Sequence, residues 1–257
     1  MRRSKAPALL LTTVPISAAH GGGMYYTIDG VLHAGAYPWV SNTTTGSIQR
    51  TWTWDGLTTP TSPHMPCNTP GTPFTPSYHA SLTAGTTISI SYAVRDSKAT
   101  FGHPYGPMLA YMAACPASGC EAVNLSAPIW FKIWEAGLLS GGFVDGRWAM
   151  RDVFEGAEVE IKVPRALRKG KYLLRHEMVN LQTGAAQFFP NCVQVEVRGT
   201  GDTMPKTEEL VKFPGAYDGD WGTSWPPETG DPYNTWFYVD HQDDTHYPMP
   251  GPPVWQG

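Results

Sequence analysis

An all-β chain, folded as an antiparallel immunoglobulin/fibronectin-like β-sandwich with long loops, is what three observations predict. Apolar residues recur at every second position in several short segments, the period of a strand with one buried face. No segment sustains a helical period. The 27 glycines and 24 prolines fall mostly between the alternating runs, where turns belong.

Taken in order, the first strand is expected over Tyr25 to Ile28. A long loop follows from about Gly30 to Tyr78, carrying Tyr37, Trp39, Trp52 and Trp54. The clearest alternation comes next, with Ile88, Ile90, Tyr92 and Val94 pointing one way and Ser89, Ser91 and Ala93 the other. Met108 to Met112 and Ile129 to Trp134 are apolar enough to be buried on both faces. Val159, Ile161 and Val163 alternate again, Tyr172 to Met178 forms a further strand, and Val193, Val195 and Val197 close the set. From Gly199 to the end runs a second long loop with Tyr217, Trp221, Trp225, Tyr233 and Tyr247. Loops beyond ~12 to 15 residues are functional or disordered, and this aromatic content argues against disorder.

Residues 1–19 read as a secretory leader: Arg2, Arg3 and Lys5 in front, an apolar middle from Leu9 to Ile16, then Ser17-Ala18-Ala19. Its removal leaves 238 of the 257 residues, expected to form a single domain over 20–257 with no appended binding module. Taking the leader's three cations from a formal charge of −4 leaves −7, which excludes a nucleic-acid partner. No apolar run reaches the ~18 residues of a membrane span, so the expected product is a soluble, extracellular monomer.

Four cysteines in a secreted chain suggest two disulfides, with three possible connectivities. Cys115 and Cys120 can close a short loop on themselves, leaving Cys67 for Cys192. In the chain-entropy model that long bridge contributes at most about 4 to 5 kcal/mol. Asn42-Thr43-Thr44 and Asn124-Leu125-Ser126 fit the glycosylation sequon.

Cleavage after Ala19 makes His20 the first residue of the mature chain. Its α-amino and imidazole nitrogens then belong to one residue and close a chelate ring at little ordering cost, a donor pair that suits copper. The amine must lose its proton to ligate, and a free α-amino group has a pKa of about 7.7 to 8.0.

Further motifs carry a resemblance. They are Ile28-Asp29-Gly30, Ile48-Gln49-Arg50, Cys67-Asn68, Gly102-His103-Pro104-Tyr105-Gly106-Pro107, Trp130-Phe131-Lys132-Ile133, Arg175-His176-Glu177, Gln187-Phe188-Phe189 before Pro190-Asn191-Cys192, Phe213-Pro214-Gly215-Ala216-Tyr217, and Pro250-Gly251-Pro252-Pro253-Val254-Trp255. In this order the chain resembles the fungal lytic polysaccharide monooxygenases of auxiliary activity family nine, formerly glycoside hydrolase family sixty-one. The resemblance implies one copper ion in a histidine brace formed by His20 and His103. It implies that His176 and Gln187 are the outer pair that orients the oxygen co-substrate, and that Phe189 occupies the axial position where most of the family has tyrosine. Tyr247, and more weakly Tyr37 and Trp39, are expected to stack on sugar rings at a flat docking face.

The function thus implied is oxidative cleavage of β-1,4-glucan, most simply cellulose, at C1 and/or C4. An external electron donor and dioxygen or hydrogen peroxide complete the reaction. A non-catalytic copper- or carbohydrate-binding β-sandwich is the rival class. A hydrolase is disfavoured, because Glu177 has no evident second carboxylate at a fixed separation. Asp240, His241, Asp243, Asp244 and His246 read as a solvated loop.

Overall fold

The computed structural model describes residues 20–38, 46–94, 101–182, 186–217 and 244–257. The leader at 1–19, Trp39, Asn42 and the residues Asp240, His241 and Asp243 lie outside the described residues. Among the described residues eleven strands, one short α-helix and a 3-10 turn follow in order: β1 Gly21–Ile28, β2 Val31–Ala34, β3 Ala80–Thr83, β4 Thr87–Val94, β5 Met108–Ala114, β6 Trp130–Ala136, β7 Leu138–Ser140, β8 Arg147–Trp148, α1 Ala149–Phe154, β9 Val159–Lys162, β10 Gly170–Asn180, β11 Gln187–Arg198 and the 3-10 turn Thr207–Glu209. One sheet runs β2-β1-β4-β9 and the other β3-β11-β10-β5-β6, while β7 and β8 form a separate hairpin. The expected β-sandwich is present.

Alternation in β4 has the predicted consequence. Ile88, Ile90, Tyr92 and Val94 are buried, and Ile88 and Ile90 stand opposite Ile161 and Val159 of β9. These side chains meet Met112, Leu174, Val193 and Val195 from the second sheet to make the inter-sheet core. The second sheet is also covered on its outer face, where Leu109, Tyr111, Leu173, Phe188, Phe213 and Tyr217 form another cluster. Burial on both faces is why β5 reads as a near-continuous apolar run, and it leaves Arg175, His176 and Glu177 of β10 buried as well.

The differences from expectation are local. Helix α1 has six residues, fewer than two turns, too short to imprint a helical period on the sequence. Strand β2 sits inside what reads as loop, because Asp29 (φ 48°) and Gly30 (φ 78°) both take the left-handed conformation and turn the chain back in a tight hairpin with Ile28 opposite Val31. The sandwich is not wholly antiparallel, since β3 pairs in parallel with β11. Both disulfides have the expected pairing, and Cys67–Cys192 fastens the first long loop to β11.

A polar cluster lies between the sheets at the start of β1. The two ring nitrogens of His176 engage the hydroxyls of Tyr26, at 3.1 Å, and Tyr92. Gln49 Nε2 donates to Tyr26 Oη at 2.8 Å and to the Gly23 carbonyl at 2.9 Å, while Gly23 N donates to Asn191 Oδ1 at 2.8 Å. Burial, and secondarily the Arg175 charge, pushes the His176 pKa down to about 3. The folded value lies below the unfolded one, so this neutral imidazole contributes stability in full above pH ~6.5 and loses it as pH falls from there toward 3. Between pH 7 and pH 5 metal-free protein is expected to lose about 2 kcal/mol through this one group. Urea titrations of wild type and His176→Gln check it: the variant's stability should fall less steeply, and parallel curves would refute the assignment.

Candidate metal centre

His20 enters β1 through Gly21, Gly22 and Gly23, and the backbone there is pressed against its neighbours. A Cβ on Gly22 would stand 2.5 Å from the Trp52 ring and 2.6 Å from Asn191 Oδ1, so only glycine lets the chain lie this low. The His20 side chain, 27% exposed, is thereby held at the surface over the end of the sandwich.

His103 arrives from the turn between β4 and β5. That turn is tied to the end of β10, where Val179 N donates to the Pro107 carbonyl at 3.0 Å and Leu181 N to the Tyr105 carbonyl at 3.0 Å. The His103 ring centroid lies 6.4 Å from that of His20. Phe189 lies 5.9 Å from His20 and 6.1 Å from His103, so the three rings form a near-equilateral triangle. Phe101 closes the apolar floor, 5.1 Å from Phe189.

The two nitrogens of His103 are unequal. Nδ1 faces Gln182 Oε1 at 3.5 Å, whereas Nε2 is buried with no hydrogen-bond partner among the described residues. With the proton on Nδ1 and directed at Gln182, the lone pair of Nε2 is left free toward the site. Burial pushes the His103 pKa down to about 4; the nearby His20 acts in the same direction and Gln182 opposes it. The ring is therefore neutral at ordinary pH, the form a metal requires. A buried nitrogen lone pair facing a second imidazole fits copper. Among the described residues no three His, Cys, Asp or Glu side chains stand together as a preformed metal-holding group, so the third nitrogen donor is the His20 α-amino group once that residue is terminal.

Two expectations are corrected here. His176 and Gln187 do share one face of the second sheet, but His176 stands opposite Asn191 and Gln187 opposite Asn180, with the Met178–Phe189 row between them. His176, 1% exposed, belongs to the polar cluster behind the site, while Gln187 Oε1 accepts from Asn180 Nδ2 at 2.9 Å. Tyr247 is only 4% exposed, packed 5.7 Å from Phe143 and 5.0 Å from Trp148, so it offers no ring face for stacking. Its amphipathic ring is used to bury the β7–β8 hairpin.

Tyr37 is 42% exposed and lies 6.5 Å from Trp54, whose neighbour Asp55 reaches His20 Nδ1 at 3.3 Å. Asn124 is exposed in the connection between β5 and β6, its Oδ1 accepting from Ser126 N at 3.1 Å. Sequence reading missed Gln182 and Asp55. Gln182 lies two residues beyond Asn180, whose pairing with Gln187 in the ladder is read from the structure and not from the sequence.

Comparison with known proteins places the chain in a family. The chain is 35% identical over 239 residues to an AA9 family lytic polysaccharide monooxygenase-like protein of Agaricus bisporus, covering 92% of this chain and 71% of that one. It is 34% identical over 253 residues to an AA9 family lytic polysaccharide monooxygenase B of Heterobasidion irregulare, covering 97% of each. The crystal structure of HiLPMO9B superposes with a TM-score of 0.78 at 31% identity, over 93% of this chain and all of that one. A cellulose-active polysaccharide monooxygenase from M. thermophila superposes with a TM-score of 0.74 at 28% identity over 93% of this chain and all of that one. The model of Auxiliary Activity family 9, formerly GH61, matches residues 20–224 and so begins at the histidine that immediately precedes β1; the chain belongs to that family.

Proposed function

We propose that this protein is a secreted, copper-dependent lytic polysaccharide monooxygenase that cleaves β-1,4-glucan oxidatively at C1 and/or C4. The observation that carries the reading is the buried, unpartnered Nε2 of His103 beside the ring of His20, at the residue where the family match begins. Residues 1–19 are then a removed leader, and Asn124 is exposed as a glycan acceptor requires.

The protein's own contribution is to hold and to shield. His20 and His103 would hold the metal, and Gln182 keeps the His103 tautomer that offers Nε2. Phe189 and Phe101 keep water and competing donors from beneath the imidazoles. Bound copper supplies one-electron chemistry with an external reductant and dioxygen or hydrogen peroxide, leading to hydrogen abstraction from a glycosidic carbon. Tyr37, exposed at the same rim, is the aromatic placed to stack on a glucose face.

The test uses protein beginning at His20, loaded with copper and incubated with cellulose, ascorbate and peroxide, with mass spectrometry of the released sugars. Oxidised chain ends that vanish on omitting reductant are expected. Copper binding without oxidised ends across several glucans would replace this reading with a binding protein.

A further inference from the structure

Asp55 stands at the metal centre without belonging to the brace, and its backbone is set there by three independent restraints. Trp54 is 5% exposed and packs edge-on against Trp52, with ring centroids 4.6 Å apart. Leu57 exchanges both backbone hydrogen bonds with Phe188, at 2.9 and 2.8 Å. Between them, Gly56 lies so close to the sheet that a Cβ would fall 2.7 Å from Phe189 Cζ and 3.0 Å from Gln187 Cβ. Any larger residue at 56 lifts the loop away from the site.

The carboxylate itself is free to move. The Asp55 side chain is 81% exposed, and Oδ1 lies 3.3 Å from His20 Nδ1. That nitrogen closes the chelate ring with the α-amino group, because Nε2 faces away on the far side of the imidazole. An oxygen anion beside Nδ1 is therefore beside any metal held there. Phe189, beneath the same rings, has no oxygen to offer. Copper(II) favours mixed nitrogen and oxygen donors in tetragonal sites, whereas copper(I) favours soft ligands.

Resting on the reading of the previous section, we propose that Asp55 is an oxygen donor to the copper, binding the oxidised ion and not the reduced one. Its role is selective stabilisation of copper(II). An exposed ion pair with His20 alone would leave the metal's properties unchanged.

The experiment compares wild type, Asp55→Asn and Asp55→Glu, all beginning at His20. Copper(II) and copper(I) dissociation constants, the midpoint potential and the electron paramagnetic resonance spectrum are measured. Asp55→Asn is expected to weaken copper(II) binding ~10-fold, less than loss of a brace nitrogen because this exposed carboxylate is an auxiliary donor and the asparagine keeps a neutral oxygen in its place, and to leave copper(I) binding unchanged. That selective tenfold change corresponds to a rise of about 59 mV in the one-electron potential. The spectrum should change in Asp55→Asn and return part of the way in Asp55→Glu. Superimposable spectra with equal potentials overturn the role of Asp55, as does an equal loss of affinity for both oxidation states. Wild type that takes up no copper at all overturns instead the reading on which the role depends. Matching melting curves establish that the variants are folded, which the exposure of this side chain leads one to expect.

Discussion

Protein that retains Ala19 ahead of His20 is expected to bind copper(II) more than ~100-fold less tightly than protein beginning at His20, since losing a direct donor exceeds the 10- to 100-fold cost of losing an outer partner. An added residue turns the α-amine into an amide, whose lone pair is delocalised into the carbonyl and which must lose its proton before it can ligate, so the ready amine–imidazole chelate is lost. The rest of the site is unaffected, because Gly22 still lies against Trp52 and Asn191 and His103 still presents Nε2. His103→Ala should produce a loss of the same order by removing the other arm. Isothermal titration of the three proteins decides the matter. Equal affinity with and without the extra residue would mean that the terminal nitrogen is not a donor, and the proposed function would fall with it.

The largest stability effect is expected at Arg175. Its guanidinium, fully buried, donates to both carboxylate oxygens of Glu177 at 2.7 and 3.0 Å and to the carbonyls of Met65 and Pro66 at 2.9 and 3.0 Å. It also lies 3.9 Å from the centroid of Phe213, and Tyr217 donates to Glu177 from the other side. Arg175→Met leaves an uncompensated buried carboxylate and two carbonyls without this donor, which should destabilise the fold by about 3–5 kcal/mol. The double change Arg175→Met with Glu177→Leu should recover much of the loss, because two apolar groups no longer demand partners. Urea unfolding measures both. A single variant within about 1 kcal/mol of wild type would show that the pair is solvated in solution. The same geometry disposes of Glu177 as a hydrolytic acid: its oxygens are spent on Arg175 and Tyr217.

Strand β4 was legible because one of its faces meets the core and the other does not; the period of two is then written into the residues. Strand β10 was legible as a strand but not as a set of roles. Both of its faces are buried, so nothing in Arg175-His176-Glu177 tells which side chain looks toward the metal centre and which toward the outer cluster. The resemblance made His176 and Gln187 a pair, yet the ladder places the Met178–Phe189 row between them. Tyr247 was expected to stack because its place before Pro248 resembles the family's carboxy-terminal loop tyrosine, and here Phe143 and Trp148 bury it.

The sequence by itself determined the sandwich and the family, and favoured one of three disulfide connectivities that the structure then decided, because alternation and ordered motifs are properties of the chain as a string. Only the tertiary structure decided that His20, His103 and Phe189 form one triangle, that Gln182 faces His103 Nδ1, and that Asp55 stands beside His20. Those contacts join segments far apart in the chain, and their geometry follows from strand register and from glycines thin enough to let loops approach, which no local pattern encodes.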